Sequence, residues 1–264
     1  EIGELNGKTG EKVQVEWGKA MKPADIEGKV TKDVEMVHWV SNESSTGVFS
    51  DSVALANAVR EQNPDALMMV DAVTSAYAMD IKVKEMDVDA VVFGTQKALA
   101  LPPGLAILLC SERLLEKAKT VPNRGFYTDL LKIKKQSDNN YALTTPPVSI
   151  MYGLDYQLDK ALREGMSARY ERHQKMADMV RAWADKNMEG IFPEKGYQSN
   201  SIGVINKGSL DFDAFHSKLK ARGYEISNGY GDIKEKTFRI GHLGDTTPEM
   251  VADLLSVMDE IMEE

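Results

Sequence analysis

The sequence predicts an α/β fold: a mostly parallel sheet flanked by helices, followed by a small C-terminal α+β unit. Three observations carry this. Apolar, β-branched runs recur through the first half of the chain. A helical pattern separates the first two of them, and after Pro146-Pro147 the texture turns strongly helical with only two further strand-like runs.

The apolar runs are VEMVHWVS (34–41), ALMMVDAV (66–73), DAVVFGT (89–95) and LAILLC (105–110). Near-continuous apolar runs of this length predict strands buried on both faces. Between the first two lies DSVALANAVREQNPD (51–65), with Val53, Leu55, Ala56 and Val59 at helical spacing and Asn63-Pro64 as the stop. Strand, helix, strand at this spacing is a βαβ unit and implies parallel pairing. KVKEMDVD (82–89) leaves room for one or two helical turns.

Residues 149–184 read as helix, broken near Glu164-Gly165. There follow SIGVI (201–205), a helix over 212–222, the strand KTFRIGH (236–242) and a last helix. That helix opens on Thr246-Thr247-Pro248-Glu249, a capping-box pattern with an early proline. Its Val251, Leu254, Leu255, Met258, Ile261 and Met262 keep helical spacing. We place a domain boundary inside the helix pair, giving a large cofactor-binding domain over 1–163 and a small domain over 164–264. The opening residues EIGELNGKTGEKVQVEW carry no helix-start or leader signal, so the chain reads as if it begins inside a domain.

The chain has 264 residues, 42% of them hydrophobic, and a formal net charge of −9. That is enough apolar material for a packed core, and the acidic balance argues against nucleic acid as a partner. No apolar run is long enough to span a bilayer, and no signal peptide is evident, so a cytoplasmic setting is expected. The one cysteine, Cys110, excludes a disulfide framework within the chain and a multi-thiolate metal site, and its apolar neighbours predict a buried, inert thiol. His38, His173 and His216 are too scattered for a metal centre. KIKKQSD (132–138) reads as a solvated face, and the 14 methionines as packing.

In parallel sheets ligands bind beyond the carboxyl ends of the strands. The first run is followed by NESSTG (42–47), the second ends in Asp71, and the third ends in Thr95-Gln96-Lys97. Singly, Asp71 could cap a helix and Ser44 to Thr46 could form a turn. Together they place a carboxylate, an amine, an amide and hydroxyls on one sheet edge. An amine and a carboxylate there suit pyridoxal phosphate: a lysine for its aldehyde, a carboxylate for its ring nitrogen, polar groups for its phosphate. Phe93, Ala98 and Leu99 would desolvate Lys97 and disfavour its charged form.

The words NESSTGV (42–48), VDAVTSAYAMDI (70–81), GTQKALALPPGLAIL (94–108), YALTTPPVSIMYGL (141–154) and KTFRIGHLGD (236–245) carry a resemblance over nearly the whole chain. The chain resembles class V, fold-type-I pyridoxal-phosphate aminotransferases, in the serine–glyoxylate, alanine–glyoxylate and serine–pyruvate group. The resemblance implies transfer of an amino group from serine or alanine to glyoxylate or pyruvate. It implies Lys97 as the Schiff-base lysine and proton carrier, Asp71 at the pyridine nitrogen, and Val73 against one ring face. It places Ser44 near the ring hydroxyl, with Glu43 and Thr46 supporting that loop. Thr95 and Gln96 fall to the cofactor, Gln96 at its phosphate. Tyr141 and Thr144 would reach the phosphate of the neighbouring subunit, since the family's sites lie at a homodimer interface. Arg239 would clamp the substrate carboxylate; on pattern alone, an arginine in that strand could equally face solvent. His242 reads as a loop-structuring residue. Family members carry a further segment before the point where this chain begins, with a glycine-rich phosphate loop and a ring-stacking aromatic. Two alternatives follow: a non-catalytic chain that needs that segment or a partner, and a carbon–sulfur lyase or desulfurase. The second would need a catalytic cysteine on a mobile loop, whereas Cys110 ends a strand.

Overall fold

Two apolar runs become the buried heart of the first sheet. In the computed structural model, which describes residues 2–264, Leu67–Asp71 and Ala90–Gly94 are its inner strands, with Met68, Val70 and Val91 at or near zero exposure. The order of elements is α1 (Ile2–Leu5), β1 (Met36–Val40), β2 (Asn42–Glu43), β3 (Val48–Phe49), α2 (Ser52–Gln62), β4 (Leu67–Asp71), α3 (Val83–Met86), β5 (Ala90–Gly94) and β6 (Ala106–Cys110). Then come α4 (Glu112–Thr120), α5 (Leu130–Ser137), α6 (Val148–Glu164), α7 (Met166–Asn187), β7 (Ile202–Asn206), α8 (Phe212–Ala221), β8 (Ser227–Asn228), β9 (Thr237–Gly241) and α9 (Pro248–Glu263). The first sheet runs β1-β4-β5-β6, with β1, β4 and β5 parallel and β6 antiparallel to β5. This is the expected α/β architecture, and β7-β9-β8 form the antiparallel sheet of the C-terminal α+β part.

Three expectations need correcting. Burial on both faces holds for β4 and β5 but not for β1 and β6, where Met36, Val40, Leu108 and Leu109 are exposed. Both are the outer strands of the order, each with a neighbour on one side only, and apolar runs do not distinguish outer from inner strands. Cys110 is therefore exposed and not buried. The opening residues contain one helical turn, α1, before an irregular stretch; Glu1 lies outside the described residues.

Local chemistry fixes the helix ends. Asp51 caps α2 by accepting from the Ala54 amide, and Asn63 ends it before Pro64. Thr247 accepts from the Met250 amide at the start of α9, with Pro248 in the first turn. Only the threonine half of the box forms, because the third helical position holds Met250, while Glu249 is one residue early for the return bond. Gly165 separates α6 from α7 with φ +83°, a value at which a Cβ would be strained.

Two large apolar clusters result, with two smaller ones beside them. One joins α2, β4 and β5 through Leu55, Val59, Met68, Val70 and Phe93. The other joins the second half of α7 to β7, α8, β9 and α9 through Met176, Val180, Phe215, Phe238 and Met258. The first half of α7 is different: its buried residues are Arg169 and His173. The Gly244 amide donates to Nε2 of His173 (3.2 Å), so that nitrogen carries no proton, and Nδ1 faces the Arg169 carbonyl (2.8 Å). Where residues 42–49 meet β7, Gly47 has φ +71° and an added Cβ would lie 2.8 Å from Cγ2 of Val204.

The buried imidazoles set an acid limit on stability. Burial pushes His173 down to about 4 and His242 down to about 3, so both are neutral in the folded chain. Unfolded imidazoles titrate near pH 6.5 and take up the protons that the folded ones refuse. Stability is therefore complete above about pH 6.5 and falls as pH drops from there toward 4. The loss should approach roughly 1.4 kcal/mol per pH unit per histidine at the acid end. Urea midpoints measured between pH 6.5 and 5, above the carboxylate range, should fall steadily; a flat profile would contradict neutral burial.

Candidate active site

Strand register assembles the site. Val40 pairs with Asp71, and Asp71 with Val92, so the carboxyl ends of β1 and β4 lie at one height and that of β5 two residues further on. The segments that follow each strand, 42–47, 72–79 and 95–101, leave from the same edge. Asp71 stands at the end of the middle strand, half-buried, and its Oδ1 accepts from the Val73 amide at 2.9 Å. That bond fixes the carboxylate's direction and sets the course of the chain beyond it.

Lys97 sits in the turn between β5 and its antiparallel neighbour β6. The turn is closed by the Leu101 amide on the Thr95 carbonyl (3.1 Å) and the Ala100 amide on the Lys97 carbonyl (2.9 Å). Thr95 is fully buried and its hydroxyl donates to the Pro102 carbonyl at 2.8 Å, which commits it to holding the turn. Ala98 and Leu99 are buried on either side of the loop's base, and Lys97 itself is partly buried. Burial pushes its amine below the usual lysine range, and the Arg239 guanidinium adds to this; the Glu43 and Asp71 carboxylates pull the other way. The desolvation expected from the neighbouring residues is present.

Arg239 arrives from the other sheet. It occupies the middle strand, β9, opposite Val204 on one side and Ser227 on the other. Its Nε donates to the Asn228 carbonyl (3.0 Å), Nη1 to the Ser44 carbonyl (3.4 Å), and the guanidinium lies 5.8 Å from the centre of the Tyr230 ring. The open question of whether it faces solvent is answered: it is half-buried and turned toward the loop after β1. Asp71, Lys97, Glu43, Ser44 and Arg239 are thus brought together from four segments.

The other expected residues fall as follows. Glu43 Oε1 accepts from the Ser45 amide (2.8 Å), and Thr46 is buried beneath that loop. Val73 is partly buried just past Asp71. Gln96 is exposed, and its amide lies over Gly94, where an added Cβ would be 2.3 Å from Oε1. Tyr141 is 73% exposed and Thr144 is exposed, and among the described residues no hydrogen bond joins either to the Lys97 group. His242 is fully buried, and its amide donates to the Ser201 carbonyl. Cys110 pairs with Ala90 while Ala106 pairs with Gly94, so the thiol lies at the opposite end of the β5–β6 pair from Lys97. A cleft of about 820 Å³, lined by Phe49, Met79, Tyr170, Lys175 and Asn200 among others, includes none of the expected residues.

One group escaped the sequence reading. Arg169, Arg172 and Glu164, at the α6–α7 junction, hold the segment after β9: Arg172 donates to the carbonyls of Thr246 and Gly244 (3.2 Å for the latter) and to Glu164 (2.6 Å). Gln157 and Lys160 of α6 reach Asp245 of the same segment at 3.0 and 2.9 Å. The available signal was the spacing of Arg169, Arg172 and His173 on one helical face directly after a glycine break.

The donor set fits pyridoxal phosphate. A desolvated amine suits an aldehyde, a directed carboxylate suits a ring nitrogen, and the exposed Gln96 amide at the head of the lysine turn offers donors that would suit a phosphate. Among the described residues no group of histidine, cysteine or carboxylate side chains has a metal-binding arrangement.

Comparison with known proteins agrees with this chemistry. Residues 2–231 match the family model described as "Aminotransferase class-V". The chain is 29% identical to the "Soluble hydrogenase 42 kDa subunit" of Anabaena cylindrica over 99% of its own length and 70% of that protein's. It is 33% identical to the serine–glyoxylate aminotransferase of Hyphomicrobium methylovorum, over 94% of this chain and 64% of that one. Among solved structures, ureidoglycine–glyoxylate aminotransferase from Bacillus subtilis superposes with a TM-score of 0.87 at 28% identity, over 99% of this chain and 69% of that one. A directed carboxylate and a desolvated lysine on one sheet edge, within this overall likeness, have one reading: the chain belongs to the class-V aminotransferase family, whose cofactor is pyridoxal phosphate.

Proposed function

We propose that the protein moves the amino group of a small amino acid, serine or alanine, to a small 2-oxo acid, glyoxylate or pyruvate. The observation that carries this is the convergence of Asp71 from β4, Lys97 from the turn after β5, and Arg239 from β9. Glyoxylate as acceptor is supported by the names of two of the compared proteins, which differ in donor but share that acceptor. We assign residues 1–163 to a cofactor-binding domain and 164–264 to a small domain; the two separate apolar clusters support the division.

Pyridoxal phosphate, when bound, supplies an electron-withdrawing ring that acidifies the α-proton of an attached amino acid. Lys97 would hold its aldehyde at rest; once displaced, its neutral amine would take the α-proton and return it to the cofactor's former aldehyde carbon. A lysine kept below its usual range is neutral more of the time near pH 8, as a base requires. Asp71 would keep the ring nitrogen protonated, Val73 would bound one ring face, Ser44 and Thr46 with Glu43 shape the loop beside it, Gln96 would hold the phosphate, and Thr95 holds the turn that carries Gln96 and Lys97. Arg239 binds the carboxylate shared by donor and acceptor, a planar fork against a planar anion.

We further propose a homodimer in a reducing cytoplasmic setting, with Tyr141 and Thr144 reaching the neighbouring copy's phosphate site. The exposed Phe126, Tyr127, Tyr141, Met151, Tyr152 and Tyr156 support a covered surface in the assembly. Among the described residues no helix is long and apolar enough to cross a membrane. The exposed Cys110, remote from Lys97, leaves the lyase reading without a thiol. The non-catalytic reading rests on partial length, since the chain spans about 70% of the Anabaena protein, and assay of the whole protein decides it.

Three outcomes follow. In the whole protein, Lys97→Ala should lower turnover by roughly 10²–10⁴-fold and abolish borohydride fixation of the cofactor; full turnover would remove the proposal. Arg239→Lys should reduce kcat/KM for serine and glyoxylate by roughly 10- to 100-fold, the worth of one charge-assisted hydrogen bond, while leaving the cofactor absorbance in place. Sedimentation should find two copies per particle, and a cofactor-holding monomer would contradict the shared site.

A further inference from the structure

Arg169 is the most buried arginine or lysine among the described residues, at 2% exposed, and its hydrogen bonds go to none of the side chains assigned above. A buried guanidinium carries a heavy desolvation penalty, so the bonds it makes indicate why it is there. Nη1 pairs with Glu164 (2.8 Å). Its remaining bonds go to three backbone carbonyls: Nε to Tyr77 (3.0 Å), Nη2 to Ala98 (2.5 Å) and, at 3.4 Å, to Gly244. These carbonyls belong to the segment that follows Asp71, the turn that carries Lys97, and the segment that follows the strand of Arg239.

A second observation concerns the same segments. Tyr77 has φ +66° and Ala100 has φ +54°. Residues with a Cβ avoid this left-handed region and stay there only when their surroundings hold them. Tyr77 is held by its own carbonyl, on Arg169. Ala100 closes the lysine turn by donating to the Lys97 carbonyl, and that turn is pinned two residues earlier, at Ala98. Gly244 lies directly against it: a Cβ on Gly244 would come 3.1 Å from the Ala100 Cβ and 3.4 Å from the Lys97 carbonyl oxygen.

We propose that Arg169 is the positioning residue of the site: fixed by Glu164, it ties the backbone of the Lys97 turn to the Asp71 segment and to the Arg239 segment, and so sets where the lysine amine stands relative to both. This rests on the role proposed for Lys97. A methionine or leucine would fill the space without the desolvation penalty, but neither could hold three carbonyls at once. A lysine could keep the charge beside Glu164 but not the fork.

The test uses the whole protein with Arg169→Lys. Three quantities are read: the pH dependence of Lys97 acylation in cofactor-free protein, mapped by mass spectrometry; kcat and KM for serine; and the urea midpoint. We expect the Lys97 amine to titrate higher than in wild type as the turn relaxes toward solvent, and kcat to fall by about 10- to 100-fold with little change in KM. Glu164→Gln leaves the guanidinium in place but loosens its anchor. It should shift both readouts the same way by less, and it decides the question if Arg169→Lys does not fold. An unchanged acylation profile and kcat with a lowered urea midpoint would overturn the proposal, leaving Arg169 a structural residue only. Borohydride fixation on the wild type separates this from the underlying reading: a label on Lys97 keeps that reading whatever the variants do, and a label on another lysine removes both.

Discussion

Parallel pairing of β1, β4 and β5 is the constraint on which the candidate site depends. A parallel ladder places like ends together, and in the register Val40–Asp71–Val92 only β5 runs on, by two residues to Gly94. Whatever residues follow those strands must emerge on one edge. An antiparallel arrangement of the same sequences would have put Asp71 and Lys97 at opposite ends of the sheet. The reversal comes only after β5, where the chain turns back into β6, and the lysine occupies that turn.

The second constraint is mechanical. The site draws on two sheets with separate apolar clusters, and apolar packing alone does not specify their relative placement to the fraction of an ångström that chemistry requires. Directional bonds do so here. They run from Arg169 at the α6–α7 junction to the carbonyls of Tyr77, Ala98 and Gly244, and across the loop after β1 from the Phe49 amide to the Tyr197 carbonyl and from the Ser199 amide to the Gly47 carbonyl. The junction consists of charged and polar residues because carbonyls need donors, and a helix that ends and restarts at Gly165 brings several donors to one place.

Much of this was legible in the residues. Apolar runs located the strands, and the stop at Asn63-Pro64 and the break at Gly165 located helix ends. Strand-end position alone singled out Asp71 and Lys97. Arg239 was ambiguous by pattern, because one arginine in an apolar strand has the same appearance whether it faces solvent or a ligand; the resemblance supplied its role, and the contact with Ser44 supplied its direction. The exposure of β6 and Cys110 was not legible, since outer and inner strands use the same residue types. Nor was the role of Arg169 and Arg172: their spacing marks one helical face, but only tertiary contacts reveal that Arg169 is enclosed.

The contact between Arg239 and Ser44 joins residues 195 positions apart. Closing so long a loop is entropically slow, and it waits on both apolar clusters. Either half of the site can acquire native strands early, but the guanidinium reaches the loop after β1 only when nearly the whole chain has collapsed. The affinity for a carboxylate that is proposed for Arg239 would therefore emerge at the end of folding. Such a ligand would bind the finished structure and not its precursors, so it would stabilise the entire molecule by mass action and make its own occupancy a reporter of complete assembly.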